Sequence, residues 1–449
     1  MRTNEDQAAV ASDSVDAEEW LAEFDCAFAR IAGRFGRVEP RRRARAFLLG
    51  LLSDVDSRSC WQLAEQAGDA SPHGMQRLLG EAVWDADKVR DDVRGYAVED
   101  LGDPAAVLVL DDTGDLKKGV HTIGVQRQYT GTAGRIENSQ VAVFLAYAAP
   151  RGYTLIDREI YLPRCWTDAP ARCAAAGVPE HVRFATKITL ARRMLARALD
   201  AGTPAAWCTA DEFYGGDRAL RRDLQGRGVG YVLAVARSHR VTACPAIGAQ
   251  RGGPGRRRPV VSGVEPLQRR RWRQGAARVR LGMDGHHPAR RRGHRASLAA
   301  GAPQSVRRRA GVLPLLVTSP GRAAHPGQGG RHPLVHRNLL PDRQRRGRLD
   351  EHQVRRFDSW YRYTTLVMLA HAVLTVIAAH ERRRLSAGQE LIPLTINEIR
   401  RLLAKLITNT VHTIDHRLAW SRWRRRHQAR AKTSHYRRRG QIEYRLAST

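Results

Sequence analysis

The sequence predicts an α/β core set between two helical regions and interrupted by a long stretch that lacks the composition of a folded protein. Three observations carry this reading. Apolar residues recur at helical spacing before residue 100, and short apolar runs alternate with amphipathic stretches from about 105. Between 252 and 348 neither period survives. A length of 449 residues fits two or three structural units. Lys+Arg 76 against Asp+Glu 45 gives a formal net charge of +31, which points to a polyanion partner, usually nucleic acid. The alternative source of that charge is the arginine and alanine bias of a GC-rich gene.

Residues 1–17 read as a flexible N-terminus with no apolar signal-peptide core. Residues 18–100 read as helical, with Trp20, Leu21, Phe24, Phe28 and Ile31 at helical spacing and Ala44, Leu48, Leu51 and Leu52 repeating the pattern. Within them, SCWQLAEQAGDASPHGMQRLLGEAVW places two short helices around a turn-forming segment from Gly68 to His73. A DNA-binding helix-turn-helix and a plain helical hairpin both fit. From 105 to 251 the pattern is α/β. AVLVLDD, SQVAVFLAYAA, YTLIDREIYL, AAWCTAD and YVLAVAR read as strands, and KITLARRMLARALDAG and GDRALRRDLQGRG as helices.

Residues 252–348 contain no Ile, Phe, Tyr, Lys or Cys, but 23 Arg and three acids (Glu265, Asp284, Asp342). That net of +20 is two-thirds of the chain's excess charge, and the composition predicts disorder. Helical order is expected again over 349–415. There Val367, Ala370, Leu374 and Ile377 form a stripe, and Thr395 with Glu398 makes a capping box. Residues 416–449 form a basic tail with interleaved Trp and Tyr, either a solvated charged helix or a phosphate-contacting arm. The six cysteines show no zinc spacing, and the longest apolar stretch, Leu366 to Ala379, is short of a membrane span and carries His371. The expected setting is cytoplasmic and nucleoid-associated, with no membrane partner.

Two acids stand out. Asp112 is read as ending the first strand and Asp211 as ending AAWCTAD. Carboxylates at neighbouring strand ends can hold two Mg²⁺ ions that clamp the attacking and leaving oxygens of a phosphodiester. Acids in such places also serve as strand terminators or helix N-caps.

The wording around these acids resembles a known family. LVLDDTGDLKKGVHTIGVQRQYTGTAGRIENSQVAVFL, DREIYLPRCWTD, TADEFYGGD and LDEHQVRRFDSWYRYTTLVMLAHAVL are similar to blocks of DDE transposases, in the branch of insertion sequence 701-like elements. The resemblance runs from roughly Trp20 to Val241 and again from Leu349 to about His380. It implies an RNase H-like catalytic core, Mg²⁺ (or Mn²⁺) dependence, and cleavage and joining of transposon-end DNA to target DNA, compatible with a homodimer. By resemblance, Asp112 and Asp211 are the first two catalytic, metal-holding acids, with Asp111 a supporting group beside them. Lys117, Lys118, Arg127 and Gln128 look like the family's DNA-contacting loop.

The third acid of the family belongs to a block reading roughly W-S-I-E-x-x-F-Q-x-x-K shortly before LDEHQVRRF. Here that place reads LVHRNLLPDRQ, with Arg337 where the Glu is expected. The codons of this stretch, read one nucleotide along, permit W-S-I-E-T-F-F-Q-T-G-K. A frameshift near Arg251 and a compensating one near Arg348 would account for both the lost acid and the altered composition. A genuine Arg-rich linker is the rival account. The expectation is a transposase by descent that lacks one carboxylate and is inactive. The alternatives are a non-catalytic DNA-binding repressor of the parent element and a metal-dependent nuclease of other purpose.

Overall fold

The computed structural model describes residues 15–236, 239, 315–318, 349–384, 392–408 and 412–447. Five helices come first: α1 (Ala17–Ala32), α2 (Val38–Leu52), α3 (Cys60–Gln66), α4 (His73–Gly80) and α5 (Ala86–Leu101). Local chemistry sets their starts. Asp16 caps α1 by accepting the Glu19 N–H at 2.9 Å, Ser59 caps α3, and Asp85 caps α5 through the N–H groups of Asp87 and Lys88. The apolar stripe of α1 is buried as its spacing predicts, with Trp20, Phe24, Phe28 and Ile31 inside.

The strands follow: β1 (Val107–Leu116), β2 (Gln126–Thr130), β3 (Arg135–Ala149) and β4 (Gly152–Ile160). Two short helices, α6 (Arg164–Thr167) and α7 (Pro170–Ala175), lead to α8 (Lys187–Asp200). Next come β5 (Trp207–Ala210), α9 (Glu212–Gly215), α10 (Arg218–Gly226) and β6 (Gly230–Ala234). The chain crosses the sheet in the order β4-β3-β1-β5-β6, with β2 sharing the outer edge of β3 with β4. β5 runs parallel to β1 and β6 parallel to β5, whereas β3 is antiparallel to both β1 and β4. Parallel neighbours need a crossover: the chain passes from β4 through α8 to lay β5 beside β1, and from β5 through α10 to lay β6 beside β5.

Two expectations change. Asp112 does not end its strand, because β1 continues to Leu116 against β3, in register from Val107↔Ala148 to Leu116↔Ser139. What ends near Asp112 is the pairing with β5, whose last register pair is Leu110↔Ala210. The second change lies in the arginine-rich segment. Leu315–Thr318 forms a seventh strand, β7, antiparallel to β6 with Val232 opposite Val317. Its apolar, partly β-branched LLVT is what a sheet edge accepts, and the composition of the surrounding hundred residues obscures it. The rest of 252–348, including Arg337, lies outside the described residues.

After a short 3₁₀ turn (Leu349–Glu351) comes α11 (Phe357–Arg384), then α12 (Ile396–Leu406) and α13 (Ile414–Ala447). Thr395 caps α12 through the Glu398 N–H at 3.2 Å, as its sequence predicts. α11 is buried almost all round, which marks the central helix of a packed core. It meets the helices α1, α2, α4 and α5, the later helix α12 and the strand β4. It is long and apolar enough to cross a membrane, but 94% of its apolar window is covered by protein.

Polar groups are sealed in with it. Trp20 Nε1 donates to Glu381 at 2.7 Å, and the Arg158 guanidinium donates to Thr365 Oγ1 at 3.0 Å and to Asp87 at 2.8 Å. β4 buries six consecutive residues, Tyr153 to Arg158, and its register against β3 shifts at Leu145/Ala146. Asp157, fully buried, accepts from Arg90 at 3.2 Å and Arg197 at 3.0 Å. One carboxylate thus binds α5 and α8 to the sheet. Removing one partner of such a cluster strands the others: Asp157→Ala is expected to lower unfolding stability by about 3–5 kcal/mol. Thermal and urea unfolding followed by circular dichroism would measure this, and a loss below about 1 kcal/mol would contradict the role given to the cluster.

Candidate active site

Adjacent central strands bring the acids of the DD and TAD motifs to one place. One step beyond the last parallel pair, Leu110↔Ala210, stand Asp111 on β1 and Asp211 after β5. There the chain turns into α9, and Asp211 becomes its N-cap, accepting the Phe213 N–H at 3.0 Å. The N-cap and the candidate-ligand readings of Asp211 therefore hold for the same side chain.

Asp112 has both oxygens engaged. Oδ2 lies 2.9 Å from Lys187 Nζ, and Oδ1 accepts from the Tyr214 hydroxyl at 3.2 Å. Lys187 begins α8 and Tyr214 ends the first turn after Asp211, so the two crossover connections deliver them. Lys187 also lies 5.1 Å from the centre of the Phe213 ring and 5.9 Å from that of Tyr161. Neither Lys187 nor Tyr214 stood out in the sequence. The signals were a Lys opening the amphipathic run KITLARR and a Tyr three residues after Asp211.

The electrostatics are those of crowded carboxylates. Burial, followed by the charges of Asp112 and Asp211, pushes Asp111 up to about 7, while the Asp112 amide and Lys187 act in the other direction. Its Oδ1 accepts that Asp112 N–H at 2.8 Å. Burial and the Asp112 charge also raise Asp211, against the amides of Phe213 and Tyr214. Tyr214, enclosed beside all three acids, is raised well above the ordinary phenol value, first by burial and then by their charge. Among the described residues no group of three or more His, Cys, Asp or Glu is arranged to hold a metal ion.

Of the four residues expected to contact DNA, Lys118 and Arg127 are exposed. Lys117 pairs with Asp115 and donates to the His352 carbonyl at 3.2 Å, and Gln128 donates to the Ser139 carbonyl at 2.9 Å. Those two fasten the loop after β1 and the strand β2 to the fold.

The raised acid makes stability pH-dependent. An unfolded Asp titrates near 4, whereas Asp111 in the fold titrates near 7, so between those values the folded state holds the extra proton. Stability from this group therefore falls as pH rises from about 4 to about 7 and is flat above. Asp111→Asn is expected to raise the thermal midpoint of the metal-free chain at pH 8, with a smaller gain at pH 5. An equal gain at both would contradict the burial of this carboxyl.

This arrangement has relatives. Residues 30–300 match the family model of the DDE superfamily endonucleases. Over 199 residues the chain is 27% identical to the probable transposase for insertion sequence element IS701 of Microchaete diplosiphon. That alignment covers 44% of this chain and 49% of the relative, so the likeness spans about half of that protein's length. Because the matched family segment takes in β1 and β5 with the acids they carry, the chain belongs to the DDE superfamily of endonucleases.

Proposed function

We propose that this chain is a transposase-derived DNA-binding protein of an insertion sequence, built on an RNase H-like core whose catalytic acids are incomplete. The observation that carries this is the strand order β4-β3-β1-β5-β6, in which β3 alone runs against the rest, together with acids on the central pair β1 and β5. In this reading Asp112 and Asp211 are the two remaining catalytic carboxylates, and Asp111 is held beside them. DNA, as transposon ends and target, is the partner.

Carboxylate oxygens are the right donors for Mg²⁺ or Mn²⁺, and a bound ion would supply charge stabilisation to a phosphodiester under attack. The donors here fall short of a full site: no three of the described His, Cys, Asp or Glu are arranged to hold a metal ion, and Lys187 pairs with Asp112. The third acid of the family is expected near Arg337, where the sequence offers none. Its absence follows from a frameshift near Arg251 and its reversal near Arg348. The same shortfall favours, as a second reading, a non-catalytic repressor that binds the ends of its parent element.

The chain as it stands is expected to show no Mg²⁺-dependent cleavage of transposon ends, and Arg337→Glu alone should not restore it, because the surrounding W-S-I-E block would still be missing. Restoring the shifted frame between the two junctions should recover end cleavage and strand transfer. Mg²⁺-dependent cleavage by the unmodified chain, abolished by Asp112→Ala, would overturn the missing-acid account. A frame-restored chain that binds transposon ends without cutting them would instead favour the repressor.

A further inference from the structure

α13 leaves the body of the protein. Its first part is docked on the turn between α3 and α4. Trp420, 1% exposed, donates from Nε1 to the Asp69 carbonyl at 2.8 Å, and His416 Nε2 lies 3.2 Å from the Glu65 carbonyl. Arg424 pairs with the Glu65 carboxylate. The Trp423 ring meets Trp61 edge-on at 4.7 Å and stacks on His427 at 4.6 Å. From Arg425 to Arg437 every residue is exposed.

At 100° per residue, Trp420, Trp423, Arg424 and His427 fall on one side of the helix. Arg422, Arg425, Arg426, Arg430, Lys432 and Arg437 all fall outside that side, in an arc about 160° wide that begins beside Trp423 with Arg430. This basic stripe is about 22 Å long, and no acid occurs between His416 and Gln441 to offset it. Arg422, Arg426 and Arg430 are spaced four apart, which destabilises a free helix by like-charge repulsion. The exposed part has no apolar stripe to offer a protein surface, and a second copy would bring the same charge. A polyanion relieves that repulsion.

We propose that α13 is a duplex-DNA arm whose phosphate-contacting face is Arg422–Arg426–Arg430 and its basic neighbours. The α3–α4 hairpin is its anchor, with Trp61 and the turn at Asp69 fixing its direction. An α-helix of this length fits the width of a major groove, and the stripe gives it phosphate contacts along the groove walls. This deepens the reading of the chain as a DNA-binding transposase relative and rests on it.

The test uses the full chain and a 30-base-pair duplex of arbitrary sequence, with anisotropy measured across a salt series. The triple variant Arg422→Gln, Arg426→Gln, Arg430→Gln should bind at least tenfold more weakly at moderate salt. Its log–log salt slope should be shallower than that of the unsubstituted chain by about 2–3. A control triple, Arg183→Gln, Arg193→Gln, Arg222→Gln, removes three exposed arginines of the α/β part and should change both much less. Trp61→Ala with Trp423→Ala keeps every arginine and should also weaken binding. Unchanged circular dichroism at 222 nm in each variant shows that the fold persists.

Unsubstituted-like affinity and slope in the stripe variant, or equal losses in stripe and control, would overturn the arm while leaving the DNA-binding reading intact. Unchanged binding by the double tryptophan variant would overturn the anchor. Failure of the unsubstituted chain to bind duplex at low salt would overturn the broader reading itself.

Discussion

The fold is organised around the fully buried Asp157–Arg158 pair on β4. The register shift lies beside a run of six consecutive buried residues, where a regular strand facing one core would alternate. The Asp157 carboxylate receives Arg90 from α5 and Arg197 from α8, while Arg158 reaches Asp87 at the start of α5 and Thr365 on α11. Glu159 next to them accepts from Arg197 and from the Tyr361 hydroxyl. Desolvating so many charges is costly, and the cluster is tolerable because each charge meets its opposite. Its positional effect is to hold the N-terminal helices, the sheet and α11 in one arrangement. The start of α8, with Lys187, inherits that arrangement.

At the candidate site the balance runs the other way. Three carboxylates crowd the end of the β1–β5 pairing, with one lysine directly against them. Asp112 has that lysine and a phenol, Asp211 has backbone amides, and Asp111 carries the excess as a raised pKa. A site with a surplus of negative charge is what a divalent cation would relieve. Lys187 supplies one positive charge within the chain itself.

Much of this was legible beforehand. The strands β1, β3, β4, β5 and β6 and the helix α8 fall where period and turn residues put them, because each buries one face or both and the pattern records it. The start of α12 was legible from Thr395 and Glu398 because capping is a local interaction. Three features were not. The extension of β1 past Asp112 depends on pairing with the earlier part of β3, from Thr113↔Ala142 to Leu116↔Ser139, a partner that is not local in sequence. β7 pairs with β6 across some eighty residues, much of them arginine-rich, so the short run Leu315–Thr318 had no local context to mark it. The roles of Lys187 and Tyr214 depend on which strand ends the crossovers reach, and topology decides that. The acids themselves were found by motif, but the neighbour of each was set by the register of two parallel strands.

Charge illustrates the same division between composition and placement. Two-thirds of the net positive charge lies in 252–348, and counting alone would locate the DNA-binding surface there. The described structure locates a directional basic surface elsewhere. On α13 six basic residues share one arc, while Trp420, Trp423, Arg424 and His427 lie on the side held against the hairpin. A helix docked by one face presents its remaining residues in a fixed orientation, and only a fixed orientation can match regularly spaced phosphates. The same six bases in an unstructured tail would attract DNA but would first have to be ordered, at an entropic cost of about 1–2 kcal/mol per residue. In the proposed arm, the tryptophan anchor would lower that cost before DNA arrives.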